Sequence, residues 1–195
     1  MLNHIRPAVV MIALFTGVLG VAYPLAVTGV AQAAFPSQAN GSLVRDKAGK
    51  MVGSALVGQT FSQPGYLHPR PSSAGDGYDA AASSGSNLGP LNPDLIARVK
   101  TDAHALRAET GATVVPADAV TTSASGLDPH ISPAYAELQI ARIASARGVG
   151  EAQVREVVQQ HVEGRTFGVL GQPRVNVLLT NMALDARFAR PAAEG

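Results

Sequence analysis

The sequence predicts a single N-terminal transmembrane helix followed by one mixed α/β (α+β) soluble domain. Three observations carry that reading. Between Arg6 and Arg45 lie 38 residues without a single Lys, Arg, Asp or Glu. Roughly 160 residues follow, enough for one domain with a core of its own and too few for two. Within them, short alternating runs give way to longer runs of three- and four-residue periodicity, each bounded by capping residues.

The charge-free stretch holds Ala8 to Phe15, Val18 to Val21, Leu25 to Val27 and Val30. Its eleven Leu, Ile, Phe and Val residues between Ala8 and Val30 favour membrane insertion by about 5 kcal/mol. A helix over residues 7–33 is long enough to span, with tilt or with fraying near Pro24. A cleaved secretory signal is the competing reading, because Arg6 forms a basic start and Ala31-Gln32-Ala33 fits a small-x-small cleavage site. The apolar run exceeds the roughly 7 to 15 residues usual in such signals, which favours a retained anchor. Arg6 and the terminal amine place residues 1–6 in the cytoplasm and residues 34–195 outside, since long domains translocate largely regardless of charge. The expected location is the cell (inner or plasma) membrane, single-pass, in contact with membrane lipid.

Residues 35–195 carry 14 Lys and Arg against 14 Asp and Glu. A neutral domain has no field to gather nucleic acid, and with no Trp it has little aromatic surface for stacking bases. Cysteine is absent, which removes disulfides, thiolate metal sites and a cysteine nucleophile together.

Phe35 to Gly41 reads as a polar tether. Ser42 to Val44 and Met51 to Val57 read as a hairpin around the charged turn Arg45 to Lys50. Residues 63–92 are dense in Pro, Gly and Ser and form neither continuous helix nor strand; a loop of that length is functional or partly mobile. Asn92 as N-cap and Pro93 at the first position open a helix through Leu95, Val99, Ala103 and Leu106, ending near Gly111. Ser132 and Pro133 open a second, through Leu138, Ala141 and Ala144 to Gly148. A third carries Val154, Val157, Val158 and His161 and is expected to end near Gly164. Arg174 to Leu179 alternates like a strand, and helix is expected over Thr180 to Phe188. Arg142, Arg147, Arg155 and Glu156 are expected on solvated helix faces.

No familiar catalytic motif fits: there is no Walker loop, no Gly-x-Ser-x-Gly elbow and no His-Glu-x-x-His helix. Ser83 to Gly89 is a weak anion-nest candidate through Gly85, Ser86, Asn87 and Gly89, against the simpler reading of a turn before a helix. Asp128-Pro129-His130, with Ser123, Ser125 and Ser132 nearby, is the one arrangement resembling a hydrolase triad. Triad members usually meet through the fold, however, and Ser132 reads better as a helix cap. His68, His104 and His161 lack metal-ligand spacing, so no metal site is expected.

Taken in order, Gly53 to Phe61, Arg70-Pro71-Ser72, Gly85 to Pro93, Gly126 to Pro133, Gln139, Arg142, Ala146 to Gly148, Leu170 to Leu178 and Asn181 resemble the KdpC subunit family of Kdp-type, ATP-driven potassium uptake complexes. With the N-terminal span, the resemblance covers nearly the whole chain. Ser84, Ala124 and Pro69 depart from the family pattern at turn positions where Gly is common. The resemblance implies a non-enzymatic accessory subunit that stabilises assembly. It also implies a catalytic chaperone that raises the ATP affinity of the ATPase subunit. The implied partners are that P-type ATPase subunit, a potassium-translocating subunit and a small single-span peptide. No cofactor is expected in this chain; ATP belongs to the complex. Thr16, Gly17 and Gly20 are small residues along which a partner helix can approach. Asn87, Asp128, His130, Gln139, Arg142, Arg174, Asn176 and Asn181 are the interface candidates the resemblance implies. The alternative is a tethered or secreted hydrolase using Asp128 and His130.

Overall fold

The structure, a computed structural model, describes residues 4–189. Of the expected cytoplasmic segment 1–6, residues 1–3 lie outside the described residues, as do residues 190–195 of the large domain. The fold is of the expected class: one N-terminal apolar helix, then a region of helices and small sheets. The chain divides into two compact units, Met1–Leu43 and Val44–Gly195.

The first unit is an unbroken helical run of 30 residues, Ile5–Ala34, with no buried side chain. It comprises α1 (Ile5–Phe15), a wide π-helical stretch Thr16–Ala22, and α2 (Tyr23–Ala34). The helix does not fray at Pro24 as the sequence allowed. Proline has no N–H and its ring crowds the carbonyl four residues back, here Gly20. The ladder relaxes by lengthening its reach, so that Tyr23 N–H donates to Val18 O, five residues earlier. The expected tether contains one short helical turn, α3 (Pro36–Ala39), where Asn40 Nδ2 donates to Pro36 O.

β1 (Leu43–Arg45) and β2 (Met51–Ser54) form the expected hairpin. Asp46 builds its turn by accepting from Ala48 N–H and Lys50 N–H. The second strand stops at Ser54, short of Val57, because Ser54 Oγ and Ser54 O accept from Leu56 N–H and Val57 N–H and turn the chain. After the long segment comes α4 (Pro93–Thr110), capped by Asn92 and ended by left-handed Gly111. Next are β3 (His130–Ile131) and α5 (Pro133–Arg147), the latter capped by Ser132 and ended by left-handed Gly148.

α6 spans Glu151–Gln160 and ends before Gly164, because Val162 and Glu163 leave the helix to form β4. β5 (Arg174–Asn176) runs antiparallel between β3 and β4, pairing Ile131 with Val175 and Val162 with Val175. α7 (Val177–Arg187) starts earlier than the alternation implied. Asn176 Oδ1 accepts from Leu179 N–H and so caps a helix at the residue where the strand ends.

The core lies between this sheet and α5, α6 and α7: Ile131, Ile140, Ile143, Val154, Val175 and Leu184 are almost wholly buried. Glu156 is exposed and Arg155 partly so, but Arg142 and Arg147 are not on solvated faces. The Arg147 side chain is fully buried. Its Nε donates to Gly65 O (2.6 Å) and its Nη2 meets Asp185 Oδ1 (2.8 Å). The reason is the long loop: its carbonyls have no strand to bond, and a guanidinium supplies several donors at once.

Arg147→Ala strands a buried carboxylate contact and loop carbonyls, so it is expected to lower unfolding stability by about 3–5 kcal/mol. Arg155→Ala, which loses only solvent-facing ion pairs to Glu137 and Glu151, is expected to leave the unfolding curve unchanged. Denaturant titration of the full chain in detergent, followed by circular dichroism, compares the two.

Candidate functional site

The long segment contains no helix or strand apart from a single 3-10 turn at Ala80–Ala82. Two carboxamides fasten its first part. Asn181 Oδ1 accepts from Leu67 N–H (2.7 Å) while Asn181 Nδ2 donates to Leu67 O (3.0 Å). Gln139 Oε1 accepts from His68 N–H (2.7 Å) while Gln139 Nε2 donates to His68 O (3.1 Å). A carboxamide offers the same donor and acceptor pair as a neighbouring strand, so α5 and α7 serve residues 67 and 68 as substitute strands. Arg142 completes the arrangement by donating to Pro64 O, Tyr66 O and Gln139 Oε1, with its Nε 3.2 Å from Glu109. Leu67, fully buried, is thereby anchored in the core.

A second polar cluster gathers around Asp128. Arg70 Nη1 lies 2.9 Å from Asp128 Oδ2, and His130 N–H donates to Asp128 Oδ1. Burial would raise the Asp128 carboxyl, but the hydrogen bonds from His130 and Arg70 outweigh it and hold the group below its ordinary value. On the far side of the imidazole, Asn176 Nδ2 is 3.5 Å from His130 Nε2 and donates to Ala55 O.

The triad arrangement is not assembled. Ser132 Oγ donates to Asp118 and accepts from Tyr135 N–H as a helix cap. Ser125 Oγ accepts from Leu127 N–H and lies beside Ser123 Oγ. The ring nitrogens of His130 face Asp128 and Asn176, and the hydroxyls of Ser123, Ser125 and Ser132 are engaged with other groups. No group of three or more His, Asp or Glu among the described residues is placed to hold a metal ion. His104 is exposed on α4, and His161 Nδ1 donates to Val157 O.

The structure therefore brings Asp128, His130 and Asn176 into one cluster and Gln139, Arg142 and Asn181 into another. Arg174 stands apart on the surface, 2.8 Å from Glu163. Asn87 adopts a left-handed backbone in an exposed stretch without regular structure. Gly85 lies against the backbone of Ser123 and Ala124, and Ser83 Oγ donates to Ser125 O, so the Ser83 to Gly89 run packs along residues 123–125. Thr16, Gly17 and Gly20 lie in the π-helical stretch. Sequence reasoning gave no role to Ser72, whose Oγ donates to Gly126 O and accepts from Ala74 and Tyr78 N–H, and it placed the buried Arg147 on a solvated face. A serine directly after Arg70-Pro71 was the only hint.

Two open clefts flank the clamped segment. One of about 600 Å³ lies between the hairpin turn and α7, with Phe61, Tyr66, Leu178 and Met182 below Arg45 and Lys47. The other, about 400 Å³, is lined by His68, Arg70, Ser72, Asp76, Tyr78 and Tyr135.

The family model described as "KdpC: K+-transporting ATPase, c chain" matches residues 5–186. The chain belongs to the KdpC family. It is 64% identical over 195 residues, the whole of both chains, to the potassium-transporting ATPase KdpC subunit of Caulobacter sp. (strain K31). It is 58% identical over 190 residues, 96% of each chain, to that of Beijerinckia indica subsp. indica. Against that of Myxococcus xanthus it is 60% identical over 189 residues, 96% of this chain and 88% of the relative. The resemblance read from the motifs is thus established along the whole KdpC chain.

Two outcomes follow from the clusters. Asn181→Leu, similar in size but without the amide, leaves the Leu67 N–H and C=O buried and unpaired and is expected to cost about 2–5 kcal/mol in the same unfolding assay. Burial, with the Arg142 charge, pushes the His68 imidazole below its ordinary 6.5. Both His68 and Asp128 have depressed values in the fold, so their stabilisation is complete above the unfolded values and is lost as pH falls. Unfolding free energy should be level from about pH 7 to 8 and decline first below about 6.5 and again below about 4. His68→Gln should remove the first decline, and a flat profile between about pH 7 and 5 in the wild type would contradict this assignment.

Proposed function

We propose that this KdpC-family chain is a non-catalytic accessory subunit of an ATP-driven potassium uptake complex. It is anchored by the helix Ile5–Ala34, with its N-terminus inside and the domain outside the membrane. It stabilises assembly with the ATPase subunit, the potassium-translocating subunit and the small single-span peptide, and acts as a catalytic chaperone that raises the ATPase subunit's affinity for ATP. The observation that carries the reading is the match of residues 5–186 to the K+-transporting ATPase c-chain family, joined to a 30-residue apolar helix with no buried side chain. The polar clusters support it further: their side chains are occupied in holding backbone, as befits a domain that works through its surface.

In this topology ATP lies across the membrane from the domain. The chain binds no nucleotide itself, and its effect on ATP is a coupling free energy transmitted through the membrane subunits. Such couplings commonly amount to about 1–3 kcal/mol, or roughly 5- to 150-fold in affinity. The complex reconstituted without this chain should therefore show an apparent KM for ATP raised at least about fivefold, restored on adding the chain back. Alkaline phosphatase fused after Gly195 should be active in whole cells; an inactive fusion with an active cytoplasmic reporter at the same point would overturn the topology.

A further inference from the structure

The ten-residue connection between β4 and β5, residues 164–173, presents the most exposed large apolar side chain of the described residues. Phe167 is 90% exposed, Val169 72% and Leu170 60%. This is not a slack loop. Thr166 and Leu170 exchange both backbone hydrogen bonds (2.9 and 3.0 Å), Gly168 N–H donates to Arg165 O, and Val169 N–H donates to Thr166 O. At the neck Arg165 Nη2 donates to Gln172 Oε1 (2.9 Å), and Arg174 pairs with Glu163 (2.8 Å) across the base. Phe167 itself has φ +53, a backbone region that a bulky residue adopts only when its surroundings hold it there. The hydrogen-bonded turn does so, and the result is a ring pointed into solvent by a preformed scaffold.

We propose that residues 164–173 are a rigid apolar knob that seats in an apolar pocket on another protein subunit of the same complex. This rests on the accessory-subunit reading above and names the surface through which that reading operates. Taking roughly 200 Å² for the phenylalanine and about 100 Å² for each aliphatic side chain, the knob covers on the order of 400 Å². A free-standing dimer needs about 800 Å² per partner, so a second copy of this chain is too weakly held by such a contact. A partner kept close at another point of the same assembly is not, because tethering raises its effective concentration. A lipid surface fits less well. Anionic headgroups are gathered by clusters of free basic side chains, and the only two basic residues here, Arg165 and Arg174, are engaged with Gln172 and Glu163. An aromatic ring whose position is fixed in advance loses little entropy on docking and suits the centre of a contact between proteins.

The chain contains no Trp, so Phe167→Trp places a single indole reporter at the tip. In the full-length variant in lipid nanodiscs without partners, emission is expected at the wavelength of water-exposed indole. In the complex co-expressed with the remaining subunits, the emission gained over the same complex carrying the wild-type chain is expected to shift to the blue. Phe167→Asp is expected to reduce co-purification of those subunits at least tenfold with an unchanged unfolding midpoint, since the side chain it replaces touches little. A blue shift already present in nanodiscs alone would assign the knob to lipid and overturn the proposal. So would unshifted emission in the complex, or full retention of partners by Phe167→Asp. If the wild-type chain itself fails to co-purify with the other subunits, the accessory-subunit reading falls, and the knob with it.

Discussion

Two side-chain amides, Asn181 and Gln139, hold the backbone of Leu67 and His68, and most of the larger unit depends on that contact. Residues 63–92 have almost no secondary structure of their own, so their polar backbone groups need partners from elsewhere before the segment can lie against a core. The amides supply those partners from α7 and α5, and with them Leu67 is buried among core residues. Arg142 and Arg147 extend the same solution to the carbonyls of residues 64–66. A buried guanidinium is costly on its own; here its donors are bonded to loop carbonyls and it is balanced by Asp185, so loop and helix charge stabilise one another. The Tyr66 ring, 4.9 Å from the Arg147 guanidinium, covers one face of that charge.

This explains what the sequence made legible. Asn92, Ser132, Gly111 and Gly148 act on the few residues beside them, and the helices they bound were readable because the interaction is local. The apolar helix was readable because composition alone decides it. Asn181 and Gln139 meet residues 114 and 71 positions away in the chain, and no spacing rule links an amide on one helix to a loop residue that distant. Arg142 and Arg147 followed an ordinary helical pattern and looked like surface charges; only the presence of bare loop carbonyls above α5 turned them inward. Asn176 was ambiguous for another reason: it belongs to a strand by its backbone pairing and begins a helix by its side chain. Periodicity has no symbol for a residue with both duties.

The Asp128 cluster shows the same economy of polar groups in a place that resembled chemistry. Aspartate, histidine and neighbouring serines have the composition of a hydrolase, yet the Asp128 carboxylate and the Ser125 and Ser132 hydroxyls already answer structural needs. Asp128 receives Arg70 from the long segment and the backbone of β3, while Asn176 joins β5 to the end of the hairpin through Ala55 O. Residue type raised the catalytic possibility, and hydrogen-bond satisfaction redirects it. Gly58, whose added Cβ would stand 2.6 Å from Asp128 O, shows how closely the hairpin's continuation passes this cluster.

The wide turn at Thr16–Ala22 has a consequence for how the N-terminal helix presents itself. Each residue of an α-helix turns the chain by about 100°, so one additional residue taken up without a matching advance rotates everything beyond it by a similar angle. α1 and α2 therefore do not share one continuous stripe of side chains. The row of Ile12 and Phe15 and the row of Val27 and Val30 stand on either side of that rotation. A straight neighbour running alongside meets one set of residues before the seam and a different set after it. The helix has a handed, two-part profile, and only a partner with a matching change of face lies flush along its full length.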